Sequence, residues 1–322
     1  MFLLEAIHTI FFGYSTRRDQ KWSDGDLVDP IKKDTYFPKD CLDKYKNMIP
    51  VEIFELFIDE EVVTVFVTET KKYALSKNKS NMNVHSEEIK AFLGILILSG
   101  YNALPGKKCY WNTRSDMKNK LVSECMQRDR FLFITKYFHV GDNSNICHGD
   151  RLFQLRPLIT LLKARFIKNI VRCEFLDYDE SMVKCFGPHP CKQFIPGKSI
   201  RFGYKVWCLN THYGYLVNFE IYQGKSTPVT NPECDQVFGK ATAPVISFLD
   251  ELPDATKSYP YHIVTDNLFT SLNLLKHLSE RGYSGTGTIR KNRIPKDCIL
   301  PSNEQIKKIE RGIFRAAIKK QD

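Results

Sequence analysis

Residues 175–210 read FLDYDESMVKCFGPHPCKQFIPGKSIRFGYKVWCLN, and the rest of the chain is organised around this stretch. It opens with carboxylates at Asp177, Asp179 and Glu180, in a run that alternates enough for a β-strand over 175–184. A Pro/Gly loop follows, then a basic, aromatic run in which Lys192, Lys198, Arg201 and Lys205 are interleaved with Phe194, Phe202, Tyr204 and Trp207. Acid beside base on one short segment suggests a metal ion next to a polyanion. A mix of Lys/Arg and aromatic rings can hold phosphates and stack bases. The same pattern also describes a hairpin with an apolar inner face and a solvated outer one.

Downstream, Tyr204–Asn210 and Tyr215–Tyr222 are aromatic and β-branched runs separated by THYG, which predicts a hairpin. Asp235–Leu252 predicts a helix, with Pro253 beyond its end. His262–Asp266 is a short strand, Leu272–Arg281 a helix closed by Gly282, and Ser284–Arg290 a further strand. The order is three strands, helix, strand, helix, strand, with no internal repeat. Asp179 then falls late in the first strand and Asp266 at the end of the fourth. If those strands are neighbours, both carboxylates point to one place. Two such groups are hard oxygen ligands suited to Mg²⁺, the ion that activates attacking and leaving oxygens in phosphodiester chemistry. The same two residues also fit surface acids that cap turns or helices, since Asp266-Asn267 precedes a helix and Asp is a good N-cap. A second basic cluster, Arg290-Lys291-Asn292-Arg293, follows the last strand.

Upstream the pattern is helical. Residues 1–50 form a polar, largely irregular arm after an apolar start. Phe54, Phe57, Ile58, Val62, Val65 and Phe66 recur at three- and four-residue steps, so 51–74 holds one or two amphipathic helices. Ser86 is an expected N-cap for a helix running to about Gly100, and further helices are expected over 128–138 and 156–169. The chain thus divides into the arm, a helical region over 51–171, a mixed sheet with flanking helices over 172–293, and a last segment, 294–322. The fold class is α+β, bordering on α/β.

Composition narrows the partners. The 322 residues carry a net charge of +10 and are 43% apolar, enough for a core and basic enough for an acidic partner. Residues 281–322 alone carry eleven Lys/Arg against four Asp/Glu, a concentration that suggests a binding surface. The ten cysteines are scattered with no CxxC pair and read as reduced thiols of an intracellular protein. Cys185, His189 and Cys191 match no common zinc spacing, and no zinc is expected. No apolar run is long enough to span a bilayer, so no membrane partner is expected. GxSxG, Walker, HExxH and dinucleotide-binding GxGxxG patterns are missing, which removes the matching hydrolase, nucleotide and small-molecule chemistries.

Five motifs in order resemble the piggyBac transposases and their transposable-element-derived relatives. Asp179-Glu180-Ser181-Met182 followed by KQFIPGKSIRFGYKVW resembles the family's first-aspartate block. Thr265-Asp266-Asn267-x-Phe269-Thr270-Ser271 resembles the second, followed by Gly287-Thr288-x-Arg290. PVEIFELFIDEEVV with ETKKYA resembles the helical entry segment, and Arg130-Phe131 with Phe138-His139-Val140-Gly141-Asp142-Asn143 resembles the stretch after it. The resemblance implies a ribonuclease-H-like core behind a helical dimerisation and DNA-binding region. It also implies DNA cut-and-paste chemistry at three aspartates holding a divalent metal, Mg²⁺. Asp179 and Asp266 match the first two. Lys192, Lys198, Arg201, Lys205, Arg290, Lys291 and Arg293 are the expected DNA contacts, with DNA and a second copy of the chain as partners and the nucleus as location. The family's third aspartate, about a hundred residues beyond the second, has no counterpart in these 322 residues. The expectation is a transposase-derived DNA-binding protein with an incomplete catalytic set, with a fragment of an active enzyme or a non-catalytic interaction protein as alternatives. Pro188 and Ser199 depart from the family's usual Arg and Pro.

Overall fold

The computed structural model describes residues 3–5, 22–24, 43–114, 117–224, 232–309 and 316–319. Two compact units emerge, one formed by residues 47–169 and the other by residues 170–322 with the described parts of the first 46. Most of the arm predicted over 1–50 lies outside the described residues.

The first unit is helical. Its elements are α1 (Pro50–Glu55), α2 (Glu60–Ser76), α3 (Ser86–Tyr101), a 3₁₀ turn at Lys107–Trp111, α4 (Lys120–Cys125), α5 (Arg128–Tyr137) and α6 (Arg156–Lys168). The three- and four-residue spacing becomes a buried stripe. Val62, Val63, Phe66 and Ala74 of α2 pack with Ile89, Phe92 and Ile95 of α3 and with Phe131, Ile134 and Tyr137 of α5. Asp59 caps α2 by accepting from the Val62 N–H at 3.1 Å, and its other oxygen accepts from Arg165 Nε at 2.7 Å. The N-cap of α3 is His85 rather than Ser86. Glu88 reaches back to the His85 N–H while it also takes a two-pronged bond from Arg130 at 2.6 and 2.7 Å.

The second unit is built on a mixed sheet. Its long strands are β3 (Phe175–Lys184) and β5 (Phe202–Thr211), with β6 (Leu216–Ile221), β7 (His262–Thr265) and β8 (Ser284–Thr288) completing the centre. β3 pairs antiparallel with β5, β5 antiparallel with β6, β3 parallel with β7, and β7 parallel with β8. A short strand missed in the sequence, β4 (Lys192–Phe194), shares the outer edge of β5 with β6. At the other edge β1 (Leu3–Glu5) pairs with β8, and β2 (Trp22–Asp24) pairs separately with β9 (Ala317–Lys319). The sheet order is β1-β8-β7-β3-β5-β4.

The helix predicted over 235–252 is two helices, α7 (Pro232–Phe238) and α8 (Ala243–Asp250). Gly239 takes a positive φ of 83°, which ends α7, and Pro244 sits in the first turn of α8, where its missing N–H costs nothing. α9 (Asp254–Lys257) follows, then α10 (Leu272–Glu280) between the parallel strands and α11 (Asn303–Ile306) after them. One sheet face carries the core. Leu176 and Tyr178 of β3, Trp207 and Leu209 of β5 and Ile263 of β7 meet Val245, Phe248 and Leu249 of α8 and Leu274 and Leu278 of α10. The Tyr178 ring lies 4.7 Å from that of Phe269, and its hydroxyl donates to the Ala241 carbonyl at 2.7 Å. Because β-strand side chains alternate, the residues between these apolar positions point to the other face.

Candidate metal and nucleic-acid site

That other face holds the carboxylates. On β3, Asp177 and Asp179 alternate with the buried Leu176 and Tyr178. The parallel register pairs Asp177 with Val264 and ends at Tyr178 with Thr265. Asp179 and Asp266 are the residues that follow this last pair, Asp179 in the middle of β3 rather than late in it and Asp266 just past the end of β7, so continuing the register brings them to one side of the sheet. The condition set by the sequence reading, adjacency of the first and fourth predicted strands, is met by β3 and β7.

The turn that presents Asp266 is built by its neighbours. Asp266 is not the N-cap of α10. That position is Ser271, whose hydroxyl accepts from the Leu274 N–H at 3.2 Å. The Asp266 side chain accepts instead from the Leu268 N–H at 2.8 Å, closing a small Asx turn. Its carbonyl takes bonds from the Thr270 N–H and hydroxyl at 3.0 and 2.6 Å, and the Thr265 and Thr270 hydroxyls meet at 2.8 Å. Arg293 donates to the Leu268 and Thr270 carbonyls at 2.8 and 2.7 Å, and Arg290 to the Asn267 side chain at 3.2 Å. Two of the three cations in the second basic cluster therefore clasp the turn, while Lys291 is exposed. Burial pushes the Arg293 guanidinium below its usual pKa, and the Arg290 charge adds to this.

Charge around the pair is graded. Burial raises the Asp177 carboxyl above the usual aspartate range, the Asp179 charge adds to it, and a hydrogen bond from Asn210 opposes. Asp179 Oδ1 accepts from the Glu180 N–H at 2.7 Å. Directly across from Asp179 on β5 is Cys208, a residue the motif reading passed over. Burial and then the Asp179 charge push its thiol up to about 12, so it stays protonated beside the carboxylate. The antiparallel register identifies it, since residues opposite each other share a face.

Glu180 belongs to the opposite side, where its register partner is the buried Trp207. Its carboxylate meets Lys198 at 3.2 Å, while Oε2 is buried with no hydrogen-bond partner among the described residues. Burial works against the Lys198 ammonium, but the hydrogen bond to Glu180 and the charges of Glu180, Asp179 and Asp266 outweigh it and raise its pKa. Lys205 lies over the Trp207 ring at 4.1 Å, and burial lowers its pKa despite those carboxylates. Lys192 shares the face of Asp179, because it pairs with Tyr204, four residues from Cys208 along β5 and so on the same face. Arg201 is exposed.

Hard carboxylates are the right donors for Mg²⁺, and a pair can hold such an ion if water or phosphate oxygens complete its shell. Among the described residues no group of three or more His, Cys, Asp or Glu forms a complete cation cage. By donor type the two carboxylates suit part of such a shell.

A family model described as Transposase IS4 matches residues 49–321. The chain belongs to that transposase family. It is 42% identical over 296 residues to human PiggyBac transposable element-derived protein 3, covering 91% of this chain and 48% of that protein. It is 40% identical over 271 residues to human PiggyBac transposable element-derived protein 2, covering 84% of this chain and 45% of that one. The chain thus spans about half the length of these curated relatives. A cryo-EM structure of a piggyBac transposase synaptic complex with hairpin DNA superposes with a TM-score of 0.66 at 23% identity, over 84% of this chain and 55% of that one. The piggyBac resemblance and the ribonuclease-H-like fold expected from the motifs are both borne out, and the chain is transposase-derived. This transposase family generally uses a divalent metal. No described helix is long and apolar enough to cross a membrane.

Proposed function

We propose that this transposase-derived chain binds DNA and holds a divalent metal, Mg²⁺, between Asp179 and Asp266, next to a DNA phosphodiester. The observation that supports the reading is the parallel pairing of β3 with β7, whose register ends at Tyr178 with Thr265, the residues just before Asp179 and Asp266. When bound, the metal supplies Lewis acidity and lowers the pKa of a bound water. The chain's own residues do the rest. Asp179 and Asp266 supply oxygens from two strands that packing fixes relative to each other. Arg290 and Arg293 hold the Asp266 turn in place. Lys192, Lys198, Arg201 and Lys291 offer cations to phosphates, with Lys198 paired to Glu180, while Lys205 lies against Trp207. The helical unit is proposed as a dimerisation and DNA-binding element, and the nucleus as the location its substrate requires.

The test pairs two measurements on the whole chain. Fluorescence anisotropy with a labelled duplex should give an affinity that falls linearly with salt on a log–log plot, as counterion release requires. Titration with Mn²⁺ followed by electron paramagnetic resonance should show bound metal that Asp179→Asn or Asp266→Asn removes while the circular dichroism melt is kept. Absence of duplex binding at low salt overturns the DNA reading. Unchanged Mn²⁺ binding in both variants overturns the metal reading.

A further inference from the structure

The face that carries Asp179 continues past the carboxylates into a pair of exposed aromatic rings. Following the register along β5, Cys208, Val206, Tyr204 and Phe202 share that face. Phe194 of β4 is directly opposite Phe202, and the two rings are 4.6 Å apart. Both are more than half exposed, at 56% and 55%, although each belongs to a strand. Lys192 lies over the Phe202 ring at 5.7 Å while it also donates to the Gly187 carbonyl at 3.3 Å. At the same end of the sheet, Lys184 stands over the Phe186 ring at 4.8 Å, and that ring is 85% exposed. From Lys184 to Lys205 the chain carries five Lys/Arg and no carboxylate. The six residue steps from Cys208 to Phe202 span about 20 Å at the usual strand rise.

A cross-strand phenylalanine pair can serve the sheet alone, but such a pair gains most when covered. Here the rings are left exposed to water, with Lys192 over one of them, on the face that carries Asp179. Exposed aromatic faces within a positive surface are the means by which proteins hold unpaired nucleotides. Paired bases inside a duplex have no free face to offer. Resting on the DNA-binding reading above, we propose that Phe194 and Phe202, with Lys192, form a stacking platform for unpaired bases of a DNA strand. The strand's phosphodiester at Asp179 and Asp266 lies about 20 Å away, the length of about six duplex steps.

The experiment compares a blunt duplex with the same duplex carrying a ten-nucleotide single-stranded tail that contains 2-aminopurine. Wild-type chain should bind the tailed DNA more tightly and quench the 2-aminopurine. Phe194→Ala with Phe202→Ala should lose about tenfold or more of the tailed-DNA affinity, as expected for removal of base stacking, and leave blunt-duplex affinity unchanged. Phe194→Leu with Phe202→Leu keeps apolar bulk without a ring face, protects against a loss of folding, and should show the same loss. Lys192→Gln should instead reduce the salt slope by about one. Equal tailed-DNA affinity in wild type and both double variants overturns the platform and leaves the rings to the sheet or to a protein partner. So does an equal loss for tailed and blunt DNA. If wild type binds duplex without preferring the tail, only this inference falls. If it binds neither DNA, the proposed function falls as well.

Discussion

Gly287→Ala tests whether the Asp266 turn is a built feature or a passive loop. Gly287 pairs with Thr265 across β7 and β8. A Cβ there would stand 2.6 Å from the Thr265 carbonyl oxygen and 2.7 Å from its hydroxyl, with the Thr270 hydroxyl nearer still. These are not the loose ends of long side chains. Thr265 and Thr270 are buried and bonded to each other, and the Asp266 carbonyl is bonded to Thr270. To admit a methyl group, β8 must move from β7 or the two threonines must rotate out of their hydrogen bonds. Overpacking a tight site costs about 1–3 kcal/mol, and a broken buried hydrogen bond adds about 1 kcal/mol, so about 2–4 kcal/mol is expected. For a unit of this size that is a fall of about 5–15 °C in Tm. Two glycines give the scale. At Gly285 the nearest atoms are the methyl ends of Leu275 and Leu278, at 2.9 and 3.1 Å, which can yield, so its alanine variant should cost less. At Gly94, in α3, nothing lies within 4 Å of a new Cβ, and alanine should stabilise by about 0.5–1 kcal/mol through helix propensity. Thermal and urea melts read all three, and Mn²⁺ titration of Gly287→Ala reads the displaced Asp266. A Gly287→Ala melt within about 2 °C of wild type, with Mn²⁺ binding intact, would refute the account of the turn.

Three further outcomes follow from the same geometry. Asp177→Asn should raise stability at neutral pH, because the folded state holds this carboxyl at a raised pKa; the penalty is present above that pKa and disappears below the unfolded value, so melts across pH 3–8 should show the gain fading towards acid. Arg293→Gln should lower stability and Mn²⁺ affinity by freeing the carbonyls of Leu268 and Thr270, yet leave the salt slope of DNA binding unchanged, since that guanidinium is spent inside the protein. Asp59→Ala should destabilise the helical unit by about 1–2 kcal/mol in a urea melt, through loss of the α2 cap, whereas Asp59→Asn, which keeps the cap, should cost less.

Much of the sheet was legible because its strands carry period-two patterns. β3 has the bounds its alternation predicts, and β5, β6, β7 and β8 differ from expectation by two residues or fewer at each end. The two-aspartate arrangement was legible only as a condition, since the paired residues of β3 and β7, such as Phe175 and His262, lie 87 positions apart in sequence. What failed was local. β4 has three residues, too few for a period to register, and it follows a Pro/Gly loop that reads as irregular. The 235–252 helix pattern was continuous in apolar residues, and Gly239 alone breaks it by its left-handed backbone. Asp266 fits a helix cap by sequence because it precedes α10, but Ser271, five residues later, is the cap and accepts from the Leu274 N–H, while Asp266 accepts from the Leu268 N–H. The basic clusters were legible as charge and not as direction. Arg293 turns inward to carbonyls and Lys205 lies against Trp207, and no one-dimensional pattern separates these from Lys192.

The consecutive pair Asp179-Glu180 makes the point about direction most sharply. As sequence it is a doublet of equivalent carboxylates, and either could be assigned to a metal. Strand alternation sends Asp179 to the face of Asp177 and Cys208 and Glu180 to the side of Trp207, where it meets Lys198. The first can offer oxygens to a cation from solution, while the second is already matched to a cation of the chain. A one-residue slip of β3 would exchange the two, placing a longer, already paired carboxylate at the metal position and burying Asp179. Register is held against that slip by Leu176 and Tyr178, which would leave the core together with it. The apolar side of β3 is thus what decides which of its acids faces Asp266, and the site depends on the packing behind it.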